Sequence, residues 1–281
     1  MIGPYNHFFS QSDWIKGYQK DPIAALDRSK LAFEWFDYVL KGAKKPDLVK
    51  DKVNYQLMGN NSWQHASSME ALNRQHKRFY LGTVTDGEYY QLSEQPEASQ
   101  NALSQTVDLA DRSTCNNTEY YPWPIIKDEL KDATGFAFSS AAFEQNTSVH
   151  GSFSGELKIR INKRDVDIAL TFYELMANGK LFELSFYIAR ASYAQNPSRI
   201  HLLTPGKIET IPFSNTRMTG KLFKKGSRLV VIANVNKNSN AQVNMGSGKE
   251  VSDETVADGK EPLKIEWFND SFINVPMRAL E

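Results

Sequence analysis

The first residues able to do chemistry stand at the front of the chain: in MIGPYNHFFSQSDW, His7 closes a Gly3-Pro4-Tyr5-x-His run. An imidazole that is neutral near pH 7 can take a proton from a hydroxyl, provided a nucleophile sits beside one ring nitrogen and a carboxylate orients the other. Only six residues precede His7, and the later sequence offers near misses. GSFSG at 151–155 puts Phe153 where a G-x-S-x-G elbow needs its serine. GSGKE at 246–250 fails as a phosphate loop, because residue 243 is Val and residue 250 is Glu. No H-E-x-x-H occurs, and His65, His76, His150 and His201 are too scattered to form a metal site. The single cysteine, Cys115, excludes an intramolecular disulfide and a cysteine-based zinc cluster. The sequence therefore implies no metal and no cofactor.

Whatever positions His7 begins with a helix. Asp21-Pro22 suits a helix start, since proline at the first position leaves no orphaned N–H, and Gly42 suits the end. Between them Ala32, Trp35, Phe36, Val39 and Leu40 recur with helical spacing, which predicts one apolar face that must pack on something. A Lys- and Pro-containing stretch, GAKKPDLVKDK, then marks a domain boundary near residues 42–52.

Beyond it the hydrophobic period changes to two. In GELKIRINK, Leu157, Ile159 and Ile161 alternate with polar residues, which predicts a strand with one wet face. Val166, Ile168, Leu170 and Phe172 continue the pattern, Asn178-Gly179 predicts a tight hairpin turn, and Phe182, Leu184, Phe186 and Ile188 are expected to face one way on the returning strand. RLVVIANVN and LKIEWF add two more strands, whereas residues 83–132 read as long loops with occasional strands. Many short alternating strands without intervening helices predict an antiparallel β-sandwich.

Composition excludes other classes. With 33 basic and 33 acidic residues the chain has no net field to draw nucleic acid or an anionic membrane. No stretch approaches the ~18 apolar residues of a membrane helix. Nothing in the sequence targets a compartment.

Several stretches together resemble the C-terminal part of the CocE/NonD group of serine hydrolases, which includes Xaa-Pro dipeptidyl-peptidases and α-amino acid ester hydrolases. They are IGPYNH, WFDYVLKG at 35–42, VNYQLMGNNSW at 53–63, FYL at 79–81, VHGSFSGELKIRINKRDVDIALTFYEL, and the end of the chain from KGSRLVVIANVN onward. The resemblance implies that residues 1–45 are a remnant of an α/β-hydrolase domain, comprising its histidine loop and last helix. Residues 46–281 would be a C-terminal jelly roll, galactose-binding-like. It also implies that His7 is the triad base, last in the order Ser, Asp, His, with both other members upstream in an N-terminal hydrolase domain. A peptide or ester would be the substrate only of the full-length enzyme, and the sandwich would wall part of its pocket and help assemble a homo-oligomer.

Histidine without its serine has nothing to deprotonate. In a well-studied serine protease, loss of the nucleophile costs on the order of a millionfold in turnover, so the isolated chain is expected to be inactive. A second reading is a non-catalytic carbohydrate- or ligand-binding jelly roll, with Trp63, Trp123 and the Tyr120-Tyr121 pair as stacking platforms. A third has a separate polypeptide supplying the serine and aspartate in trans.

Overall fold

Alternation of apolar and polar side chains builds most of this molecule. The computed structural model describes residues 1–5, 15, 17–116, 124–130, 134–238 and 240–279. Sixteen strands run through these residues: β1 Val53–Leu57, β2 Ser62–Ala66, β3 His76–Asp86, β4 Tyr89–Ser93, β5 Ala102–Val107, β6 Ile126–Lys127, β7 Phe136–Ser139 and β8 Thr147–Gly151. They continue with β9 Ser154–Ile161, β10 Asp167–Leu175, β11 Leu181–Arg190, β12 Ile208–Phe213, β13 Thr219–Phe223, β14 Arg228–Val235, β15 Leu263–Phe268 and β16 Phe272–Ala279. The helices are α1, Arg28–Lys41, and the short α2, Met69–Asn73.

The architecture is the expected β-sandwich, with a separate β1–β2 hairpin set against it. Hydrogen bonding runs β5-β15-β9-β16-β3-β4-β7-β14-β10-β11-β6, with β12 beside β9 and β8 joining β13 to β16. One pair breaks the antiparallel rule: β4 and β7 run parallel at Tyr90↔Phe138 and Gln91↔Ser139, so the sheet is mixed. β9 keeps its wet face, with Leu157, Ile159 and Ile161 buried and their neighbours half-buried. Inside, Phe153 stacks on Phe172 at 4.2 Å between ring centroids. GSFSG is thus the joint between β8 and β9, with its central side chain in the core.

Two expectations need correction. The β10–β11 hairpin turns at Gly179 (φ +82°) as predicted, but a register shift follows Phe172. Tyr187 therefore lies opposite Leu170 and Ser185 opposite Phe172, while Phe186 and Ile188 pair with Thr171 and Ala169 on the other face. A bulge reverses which side chains point inward, so Phe182, Leu184, Phe186 and Ile188 do not share one face. The second correction concerns Asp21-Pro22, which opens only a turn of 3-10 helix over Pro22–Ala24. The α-helix starts at Arg28, where Asp27 is the N-cap and its Oδ1 accepts from Lys30 N at 2.9 Å. Its C-terminal end is as predicted, with Gly42 left-handed at φ +69°.

β16 lies between β3 on one side and β9 and β8 on the other, despite Pro276. Met277 N donates to Gln75 O on the β3 side. The nitrogen one residue earlier therefore faces the opposite side, at the point where β16 passes from β9 to β8. The missing N–H falls at a break in the ladder.

Candidate functional site

His7 lies outside the described residues, but its neighbours on both sides are fixed. Ile2 makes a parallel bridge with Tyr55: Ile2 N donates to Asn54 O at 2.8 Å and Gln56 N donates to Ile2 O at 3.0 Å. Pro4 is buried, and the Tyr5 phenol, pushed up to about 12 by burial, donates to Ala24 O at 2.9 Å. After the undescribed residues, Tyr18 packs edge-on against Phe182 at 5.3 Å, and burial, with the Asp21 charge, raises its phenol further. Asp21 Oδ2 accepts from Gln56 Nε2 at 2.5 Å and from Gly59 N at 2.7 Å. Ile23 N donates to Asn61 Oδ1 at 3.0 Å, and the Trp63 indole donates to Ile23 O at 3.1 Å. The N-terminal arm is therefore bound at both ends to the β1–β2 hairpin.

Next comes α1, whose large apolar side chains lie open. It buries none of its residues: Phe33 is 73% exposed, Phe36 58%, Val39 55% and Leu40 74%. Isolated helices of this length are marginal in water. Local devices hold this one: the Asp27 cap, the Gly42 end, and ion pairs Lys30–Glu34 at 3.8 Å and Lys41–Asp37 at 2.7 Å. The apolar face that should pack on something has, among the described residues, nothing burying it.

The remaining sequence candidates are structural. His65 Nδ1 lies 2.7 Å from Asn54 Oδ1. His150 is buried, stacked on Tyr55 and 3.2 Å from Ser148 Oγ, and burial together with the Arg278 charge lowers its imidazole to about 4. His76 and His201 are exposed, and among the described residues no cluster of three metal-ligating side chains forms. GSGKE is a turn in which Ser247 Oγ donates to Glu254 Oε1 and Lys249 pairs with Asp258 at 2.6 Å. Trp63 is committed to Ile23, whereas Tyr120, Tyr121 and Trp123 lie outside the described residues. An open groove of about 790 Å³ between β3, β4 and residues 139–145 is lined by Lys77, Phe79, Glu94, Phe143 and Arg278 among others, and among the described residues by no imidazole. Sequence reasoning missed Gln56 and treated Asp21 as a helix cap. Their partnership joins residues 35 apart in the chain, which no local pattern signals.

Among the described residues, then, the site is an arm anchored on the β1–β2 hairpin beside an open helix. The family model of the X-Pro dipeptidyl-peptidase C-terminal non-catalytic domain matches residues 49–255. The chain belongs to this family. Among solved structures, an aminopeptidase from the marine sediment archaeon Thaumarchaeota archaeon superposes with a TM-score of 0.82 at 15% identity, over 99% of this chain and 49% of that one. An α-amino acid ester hydrolase gives a TM-score of 0.73 at 17% identity, over 91% and 45%. A CocE/NonD family hydrolase from Staphylococcus aureus gives 0.61 at 15%, over 89% and 45%. At such identities the likeness is one of fold, and the chain spans about half the length of these proteins. A search of curated proteins found no match. The X-Pro dipeptidyl-peptidase C-terminal family match takes in the β1–β2 hairpin and the strands through β14. The archaeal likeness covers nearly all of this chain, so it extends past the family match to the arm and α1.

Proposed function

We propose that this chain is the C-terminal portion of a serine hydrolase of the Xaa-Pro dipeptidyl-peptidase or acyl-ester type. Residues 46–281 are its non-catalytic jelly roll, and residues 1–45 pack against, and complete, an N-terminal catalytic domain. His7 is the triad base, and the serine it activates and the aspartate that orients it belong to that catalytic domain. The chain by itself then neither acylates nor turns over a substrate. In the assembled enzyme the sandwich walls part of the pocket and supports oligomer contacts.

The observation that carries this reading is the exposed apolar face of α1. Large apolar patches on a protein surface mark the place of a partner, and Phe33, Phe36, Val39 and Leu40 form one just after the arm that holds His7. The family match, starting at Val49, supports the same division. A carbohydrate-binding role has less support, since Trp63 spends its indole N–H on the arm. The test is labelling with a fluorophosphonate, which traps only an activated serine. The chain alone should take up no label, and the protein carrying its catalytic domain should label fully and lose that labelling in His7→Ala. A stoichiometric serine adduct on the chain alone would overturn the reading.

A further inference from the structure

The pair Asn178-Gly179, at the tip of the β10–β11 hairpin, is the only Asn-Gly in the sequence, and both residues are exposed. Two backbone bonds close the turn, from Met176 N to Lys180 O at 2.8 Å and from Gly179 N to Met176 O at 2.9 Å. Asn178 Oδ1 accepts from Lys180 N at 3.2 Å, an Asx-type bond that folds the carboxamide back toward the Gly179 peptide and draws electron density from its carbon. An electrophile, Asn178 Cγ, is thereby held near a backbone nitrogen, Gly179 N. After most asparagines the Cβ of the next residue crowds that approach, and glycine has none. Even a Cβ at Gly179 would meet nothing within 4 Å, so the tip is open to water on this side. The Gly179 N–H must leave Met176 O before its proton can be lost, and exposed turns are where such local opening costs least. The two asparagines followed by serine are placed differently: Asn61 Oδ1 is engaged by Ile23 N at 3.0 Å, and Asn238 is 1% exposed.

We propose that Asn178 is a modification site, converting without an enzyme to aspartate and isoaspartate through a succinimide formed with Gly179. Hydroxide takes the proton from Gly179 N, the nitrogen attacks Asn178 Cγ, and the Cγ–Nδ2 bond breaks. The departing nitrogen takes a proton from water, which restores the hydroxide and releases ammonia. Water then opens the imide: attack at Cγ leaves aspartate on the original backbone, and attack at the Asn178 carbonyl carbon leaves isoaspartate, with the main chain running through the former side chain. Isoaspartate adds a methylene to a turn that the two backbone bonds close only at its present length. It also sets a new carboxylate beside Lys180, which pairs with Asp128 at 3.0 Å just beyond β6. β6 is the end strand of its sheet and is held to β11 at Leu181↔Lys127 and Phe182↔Ile126. Conversion at the tip therefore loosens the β6–β11 edge.

The test is to age the folded chain in mildly alkaline buffer and follow each asparagine by peptide mapping and mass spectrometry, with isoaspartate distinguished from aspartate by enzymatic methylation. Asn178 should convert at least about tenfold faster than Asn61 or Asn238, since it alone combines glycine with an exposed turn. Isoaspartate should be among its products. Hydrogen exchange at Met176, Lys180 and Lys127 should be faster in the aged chain than in the fresh one. Asn178→Gln keeps an acceptor oxygen but would have to close a larger ring, so its aged and fresh exchange should coincide. An Asn178 that stays intact while Asn61 or Asn238 converts would overturn the proposed site. Conversion with unchanged exchange at Lys127 would overturn the loosening of the edge.

Discussion

At the scale of single residues, the histidines divide by environment and not by motif. His7 carries the catalytic proposal, while His150 is held neutral inside the sandwich by burial, with Arg278 nearby from β16 and the Tyr55 ring from β1. Its ordinary value of 6.5 falls to about 4 in the fold. Between those values the unfolded chain binds a proton that the native chain does not, so this contribution to stability is complete above about pH 6.5 and is lost as pH falls toward 4. A His150→Gln variant should show a flatter decline of urea midpoint across that window, whatever its stability at pH 7; parallel curves for variant and parent would contradict the assignment. None of this was legible in the sequence, where His150 is simply one of four scattered imidazoles. Its neutrality comes first from burial and then from the charge of Arg278, 128 residues further on, while the Tyr55 ring stacked on it comes from 95 residues before.

At the scale of elements, the period of the hydrophobic residues was the reliable signal. It located β9, β10, β14 and β15 and the turn at Gly179, because burial on one face of a strand writes itself directly into alternation. It failed where geometry departs from the ideal pleat. The bulge at Leu184 reverses the inward face of β11, and Pro276 disguises a strand paired on both sides. Asp21 looked like a cap because carboxylates suit helix starts, yet its oxygen is used by a side chain and an amide 35 and 38 residues on. The periodicity of α1 was read correctly as one apolar face, and its exposure is a fact about what surrounds it. Substituting Leu40→Lys and Phe36→Lys should change the stability of the chain by no more than about 0.5 kcal/mol each, as for other surface positions, while reducing self-association by light scattering. A loss of 2 kcal/mol or more would mean that the face is already buried.

At the scale of the whole molecule, the β-rich class follows from composition and spacing, but the order of strands does not. The parallel contact of β4 with β7, and the passage of β16 from β9 to β8, depend on which distant segments meet across the sandwich. The likeness to hydrolase structures of about twice this length gives the exposed helix its context. On the proposed function, the open apolar face of α1, beside the anchored arm, is where a catalytic domain packs. Oxidative footprinting of α1 tests that claim most directly, comparing the chain alone with the protein carrying its catalytic domain. The account predicts that Phe33, Phe36 and Leu40 react readily in the chain alone and become protected in the larger protein. Equal oxidation of these side chains in both would contradict it.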